Sequence, residues 1–426
     1  MKILIKNTLI ITMDKDNEII DKGYVLIKDK KIVKVDSGEY EGKLEEVKVI
    51  DGNNYCVMPG LINCHTHASM TLLRGVGEGL PLMRWLKEKI WPMEAKFTEK
   101  HIRIGTEIAC LEMFRSGTTT FNDMYFMEQY VLDVVRNYGM RAVLGLSIIG
   151  DKWEEQIKQT IDLIDIIDND KSGLMKVMFA PHSPYTLNYD ALKQVGQLAK
   201  EYKKDIHIHI SETKDEVNII KDKYNKTTCE LLLDTGIFNS KVVGAHCIHL
   251  TDSDINIMKE NNVSAVYNPQ SNMKLASGMA RIVEMNETGI NVCIGTDGTS
   301  SNNNLNMFEE METGALLQKL KYNDATKLDG KTMLKMATIN GAKALGIEKV
   351  GMLKEGYKAD MIMVNLNKPN MVPNNDIYSN LVFSANGSEV EYVIVDGNII
   401  MEKGEFTRID EEKVLFECNN ISKTLI

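Results

Sequence analysis

The sequence predicts an α/β protein: a (β/α)8, TIM-like barrel over residues 58–348 and a β-sandwich domain built from both ends of the chain, 1–57 and 349–426. Three observations predict it. Short apolar runs alternate with longer helical patterns through the middle of the chain, which is the texture of repeated βα units on a parallel sheet. Runs rich in β-branched residues, broken by Asp, Lys and Gly, occupy both ends. Six of the eight histidines lie at or beside the ends of the middle runs, where barrels of this kind keep their chemistry.

In chain order, the first strands are "ILIKNTLIITM", "GYVLIKDKKIVKVD" and "VKVID". Eight runs then supply the parallel strands: "VMPGLINCH", "TTTFND", "RAVLGLSI", "LMKVMFAPH", "DIHIHI", "KVVGAH", "VSAVYNP" and "NVCIGTD". A helical pattern follows each, such as "TEKHIRIGTEIACLEMFRSG" ending at Gly117 and "DATKLDGKTMLKMATINGAKALG" ending at Gly346. Strand texture returns in "ADMIMVNL" and "EYVIVDGNIIMEKG", where Asp396 and Gly397 are the dipeptide of a tight hairpin.

Composition narrows the function. With 426 residues, 43% hydrophobic and 26% charged, the chain has the balance of a globular protein with ample core. Its formal net charge of −10, without a Lys/Arg cluster, argues against nucleic acid or an anionic membrane as partner and for a small ligand. The start "MKILIKNTLIITMDKD" lacks the features of a secretory leader, and no run reaches the roughly 18 apolar residues of a membrane span, so a cytoplasmic location is expected. Seven cysteines without a CxxC read as reduced thiols rather than metal ligands. "GVGEGL" fails the dinucleotide fingerprint at Leu80 and follows no strand.

The histidine pairs carry the chemistry. Strand side chains alternate faces, so His65 and His67 project together, as do His207 and His209. Chance at this composition gives roughly 0.15 HxH pairs; the chain has two. Reading the strand ends gives His65, His67, Asp123, His182, His209, His246 and Asp297. Three imidazoles and a carboxylate in one mouth match a divalent Zn²⁺ or Fe²⁺ site with an open position for water. His207 reads as a core histidine behind His209, His249 as structural, and Asp123 as a bond to a neighbouring loop. No HxE with PCxxC occurs, which excludes the cytidine-deaminase type of zinc site.

These motifs, with "HISE", "GAHCIHL", "WPMEAKFT", "APHSPYT", "NPQSNMKLASG" and "GTDGTSSNNNLNMFEEM", resemble the amidohydrolase superfamily and, within it, the 5'-methylthioadenosine/S-adenosylhomocysteine deaminase group, over nearly the whole chain. The resemblance implies one divalent metal per chain, zinc or iron, held by His65, His67, His209 and Asp297. It implies Glu212 as proton shuttle, His246 bonding the attacking water, and Glu94 and His182 contacting a nucleoside, in a homo-oligomer such as a dimer or tetramer. The chemistry agrees. Hydrolytic attack at C6 of adenine requires protonation of the ring nitrogen, and Glu212, three residues beyond His209, suits collection of the water proton and its delivery. Asp297 combines ligation with acceptance of a proton, and both it and Glu212 then face the substrate.

Alternatives remain open. Glu212 also reads as a helix-start acid in "SETKDE", and Glu94 as an exposed carboxylate in a loop beside Pro92. His182 stands where hydantoinase-type enzymes carry a carboxylated lysine between two metals, which favours one metal. A guanine deaminase or a triazine hydrolase shares such a site, and a non-catalytic scaffold is the reading from another class. No arginine occurs from 142 to 280; with Lys152 as a lone cation and Trp153 as an apolar face in the loop after the third strand, 5'-methylthioadenosine or 5'-deoxyadenosine is expected to outrank S-adenosylhomocysteine.

Overall fold

The computed structural model describes residues 2–15 and 18–425. Strands from both terminal regions join in one mixed sheet of nine, in the order Glu405–Phe406, Asn398–Glu402, Val390–Val395, Met361–Asn365, Tyr55–Pro59, Lys2–Ile11, Ile19–Lys28 and Lys31–Ser37, with Val47–Asp51 paired along Lys2–Ile11. The expected hairpin is present: Val395 pairs with Asn398, and Asp396 and Gly397 take the left-handed φ of 50° and 76° that such a turn needs. Alternation sorts this sheet's side chains between two cores. Val57, Met361, Met363, Tyr392 and Ile394 meet Ile3, Ile5 and Val25 in a small cluster of their own. Their neighbours Cys56, Met58, Ile362, Val364, Val393 and Val395 enter the main core.

The middle of the chain is α/β with parallel pairing throughout. Met175–Val177, Arg141–Leu144, Thr118–Asp123 and Leu61–Thr66 form one run of four strands, and Ile206–Ile210, Val242–His246, Ser264–Tyr267 and Val292–Ile294 a second. The runs meet at two seams. Phe179 bridges Ile206, with His209 N donating to His182 O at 3.1 Å, and Asp297 N donates to His65 O at 2.9 Å. Outward residues such as Phe121, Ala142, Ile208 and Tyr267 pack under the helices. Inward residues Ile62, Cys64, Val143, Val243, Val266 and Cys293 form a separate cluster, closed below by Ala342 and Leu345.

Three predicted elements differ. The run "VMPGLINCH" is two strands in two sheets, Tyr55–Pro59 and Leu61–Thr66; the chain passes between them at Gly60, where a Cβ would collide with the Thr119 side chain. The helix expected to end at Gly346 is two helices, Gly330–Met336 and Ile339–Ala344, broken at Thr338 with φ −132° and ψ −93°. The segment around Pro92, read as loop, is helical from Leu82 to Glu94. Proline cannot donate to the preceding turn, and the chain relaxes into a π turn over Leu86–Ile90 just before it.

Candidate active site

A bulge begins the site. Against Phe121 and Asp123, the first inner strand slips by one residue between Asn63 and Thr66, the geometry that re-aims a side chain. Cys64 and His65 consequently both turn inward, Cys64 to the inner apolar cluster and His65 to the rings of His67, His209 and His246 at centroid distances of 4.9, 4.8 and 5.4 Å.

Each predicted ligand is oriented from behind. His67 donates Nδ1–H to the Met124 carbonyl (2.6 Å) and His209 donates Nδ1–H to the His182 carbonyl (2.6 Å), while His65 Nδ1 pairs with His207 Nε2 (2.9 Å). In all three Nδ1 is engaged and Nε2 is left for a ligand, the arrangement that fixes tautomer and ring direction in metal sites; His67 and His209 line the cavity. Asp297 Oδ1 lies 3.4 and 3.2 Å from the Nε2 atoms of His65 and His67. Its Oδ2 accepts from Ser271 Oγ (2.6 Å) and Ser301 Oγ (2.9 Å).

This donor set fits a divalent cation. His65 Nε2 is buried without a hydrogen-bond partner, and donor atoms of His65, His67 and Asp297, and of His65, His209 and His246, lie within 4.8 Å of one another in each group. Burial pushes His65 down to about 4 and His182 down to about 3, the latter helped by the surrounding imidazoles; burial also holds His209 well below its usual value. Neutral imidazoles keep a lone pair for a metal. Burial opposes a charge on His67 too, but the Asp297 carboxylate outweighs it and lifts the ring to about 9. Against burial, the hydrogen bonds and charge of His65 and His67 hold Asp297 well below the usual carboxylate range.

The remaining residues surround this centre. Glu212 is buried, which raises its pKa against the pull of His246; its Oε1 accepts from Ser277 Oγ (3.3 Å) and its Oε2 lies 3.9 Å from His246 Nε2. His246 Nδ1 pairs with Asn272 Oδ1 at 2.9 Å. His246, Asp297 and Ser211 all hold left-handed φ, 71°, 64° and 50°, conformations that cost non-glycine residues about 1–3 kcal/mol and gather at functional sites. Glu94 lines the same cavity and accepts the Tyr125 hydroxyl at 2.7 Å. His182 lines it as well, with Nδ1 3.2 Å from Thr186 Oγ1.

Two expectations about the outer cavity are corrected. Trp153 starts the helix Trp153–Asp168 and packs half-buried on the main core, and neither it nor Lys152 lines the cavity. Ile149, just before the turn Gly150–Lys152, lines the cavity, and the residues of the turn do not. The wall there is Leu82, Leu86, Phe126, Ile149, Tyr185 and Leu275. Asp123 does bond a neighbouring loop, accepting from Thr66 Oγ1 and Ala68 N, both at 2.8 Å, and His249 Nε2 donates to the Ser277 carbonyl (2.7 Å). Sequence reading missed Tyr125, Ser271, Asn272, Ser277 and Ser301 as supports, although "NPQSNMKLASG" and "GTDGTSSNNN" contain the last four.

Known proteins share this architecture. A deaminase of Clostridium tetani, named for 5-methylthioadenosine and S-adenosylhomocysteine, is 60% identical over 426 residues, all of this chain and 99% of that one. A 5'-deoxyadenosine deaminase of Methanosarcina mazei is 44% identical over 428 residues, 100% of this chain and 98% of that one. The crystal structure of an adenosine deaminase from Xanthomonas campestris with bound zinc superposes with a TM-score of 0.94 at 32% identity, covering 99% and 98% of the two chains. Residues 56–400 match the model of the amidohydrolase family, and the chain belongs to that family.

Proposed function

We propose that the protein is a metal-dependent deaminase of adenosine-type nucleosides, releasing ammonia and the inosine-type product. The observation that carries this reading is that His65 joins two overlapping groups of donor atoms, one with His67 and Asp297 and one with His209 and His246, while Glu212 lies 3.9 Å from His246 and Glu94 lines the same cavity. Relatives named as deaminases of such nucleosides, alike over the full chain, support it. The eight parallel strands are read as a closed (β/α)8 barrel over 58–348, supported by the two seams and the inner cluster. The terminal sheet, with its private core, is read as a sandwich of 1–57 and 349–426.

His65, His67, His209 and Asp297 would hold one divalent ion, zinc by analogy with the zinc-bound structural relative. Such an ion supplies Lewis acidity and brings the pKa of a coordinated water toward about 7. The chain's own groups do the rest. Glu212 takes the proton of the attacking water and delivers it to N1 of the purine, and its raised pKa suits a group that both accepts and returns a proton. His246, held by Asn272, orients the water. Asp297 accepts the second proton and gives it up to the departing amino group, which leaves as ammonia with the assistance of Glu212. His182 faces the base, and Glu94 accepts the ribose hydroxyls.

Among the described residues that line the cavity there is no Lys or Arg to meet a 5' amino-acid group, and Phe126, Ile149 and Leu275 favour a methylthio or deoxy substituent. Ammonia release from 5'-methylthioadenosine, 5'-deoxyadenosine, adenosine, S-adenosylhomocysteine, adenine and guanine tests both levels. The highest kcat/KM is expected for one of the first two. Guanine as best substrate would replace the nucleoside reading, and S-adenosylhomocysteine as best would refute the apolar 5' pocket alone.

A further inference from the structure

Glu212 has little to hold its carboxylate: one long bond from Ser277 and a 3.9 Å approach to His246. Its placement must come from the main chain. Its own N–H donates to Glu216 Oε2 at 2.8 Å, and the preceding N–H, of Ser211, donates to Glu216 Oε1 at 2.9 Å. Glu216 is the third residue of the helix Lys214–Tyr224, capped by Thr213, whose side chain accepts from Glu216 N. An acid at this position ordinarily reaches back to the N–H of the capping residue itself. Glu216 reaches further, to the two peptides before the cap.

The other side of the same peptide is also tied. The Ser211 carbonyl accepts from Ile248 N (3.2 Å) and His249 N (3.0 Å), and the Ile210 carbonyl accepts from Cys247 N (3.0 Å). Those donors belong to the turn that follows His246. Ser211 holds φ 50°, a conformation that persists in a non-glycine residue only where its surroundings determine it. Glu216, 2% exposed, supplies both acceptor oxygens of that determination; burial pushes it up to about 8, against the lowering effect of the N–H groups it accepts from.

Resting on the reading of Glu212 as proton shuttle, we propose that Glu216 is a positioning residue: its carboxylate clamps two consecutive peptides and so sets where the Glu212 carboxylate stands relative to His246 and the substrate ring. Glutamine cannot replace it, because its amide offers one acceptor and turns a donor toward the second N–H.

The test uses the metal-loaded enzyme. Glu216→Gln is expected to lower kcat by roughly 10- to 100-fold, the cost of an ångström-scale misplacement, with KM changed less than about threefold and metal content kept. Asp254→Asn is the control, since Asp254 is equally buried and caps the helix Asp252–Glu260 through Thr251 N (2.9 Å). It is expected to lower thermal stability while leaving kcat within about threefold. In the double variant Glu212→Gln/Glu216→Gln, the second change is expected to add nothing to the loss in kcat, because a clamp has no value without its cargo. If the glutamine variant is too unstable to purify, Glu216→Asp, which keeps the carboxyl group but is one methylene shorter, is expected to show the same loss. A kcat within threefold of wild type in either Glu216 variant, with Glu212→Gln inactive, overturns the proposal, as do losses that multiply in the double variant. Full turnover by Glu212→Gln overturns the role of Glu212 first and this inference with it.

Discussion

Replacing Glu94 with Gln isolates ribose recognition from chemistry. Glu94 is half-buried in the cavity wall, and Tyr125 occupies its Oε1 at 2.7 Å, which leaves Oε2 to face the ligand. In the glutamine variant the single oxygen keeps the tyrosine, and an NH₂ donor stands where the hydroxyls of a ribose need an acceptor. A hydrogen bond to a charged group contributes about 1.5–3 kcal/mol and a neutral one about 0.5–1.5 kcal/mol. Over two hydroxyls the expected loss is about 1.5–3 kcal/mol, or about 10- to 150-fold in kcat/KM. The assay compares 5'-deoxyadenosine with an analogue lacking both the 2' and 3' hydroxyls, for wild type and variant. The analogue should be poor with both enzymes and nearly indifferent to the substitution. Equal losses on the two substrates would refute ribose recognition and leave Glu94 as a wall residue.

Asp297→Ala is expected to abolish turnover and to reduce bound metal below the one per chain expected of wild type, as read by elemental analysis; two metals per chain in wild type would refute a single site. Metal affinity should rise with pH: His67 is lifted to about 9 by Asp297, so below that pH an incoming cation must displace its proton, and affinity should gain up to about tenfold per pH unit. Chelator competition between pH 6 and 8 reads this, and a flat profile would show that His67 is already neutral. Glu212→Gln should retain metal while kcat falls at least about 10²-fold, measured by ammonia release at saturating substrate. Asp360→Asn should destabilise the protein by about 3–5 kcal/mol in denaturant unfolding, because it strands the fully buried Arg141, whose Nε and Nη2 now meet Asp360 at 2.5 and 3.0 Å; a loss under 1 kcal/mol would show that Asp396, at 3.3 Å, suffices.

What sequence could reveal followed what is periodic. The pairing of His65 with His67 and of His207 with His209 on shared faces follows from strand geometry, and the Asp396–Gly397 hairpin from turn chemistry. The bulge that brings Cys64 and His65 to the same side has no residue signature, because neither carries a backbone preference that marks it. The bonds that aim His67 and His209 end on the carbonyls of Met124 and His182, and a carbonyl looks the same in every residue. Glu216 was hidden in plain composition: in "SETKDE" it reads as one more acid on a soluble helix. The reading of Glu94 as part of a loop beside Pro92 masked the helical stretch Leu82–Glu94. Trp153 misled because its nearness in sequence to the third strand end says nothing about which way the following turn leads. The Arg141–Asp360 pair joins positions 219 residues apart, beyond any local pattern.

The passage of chain at Gly60 has a consequence for biosynthesis. Tyr55–Pro59 is held between Lys2–Ile11, made almost at once, and Met361–Asn365, made some 300 residues later. On the ribosome, the strand carrying His65 and His67 therefore emerges early but hangs from a half-built sheet until the last sixth of the polypeptide arrives. A nascent chain halted before residue 361 has every histidine of the site and an incomplete foundation beneath the first two. Loss of the C-terminal strands, none of which carries a residue of the candidate site, is therefore expected to be felt at His65 and His67.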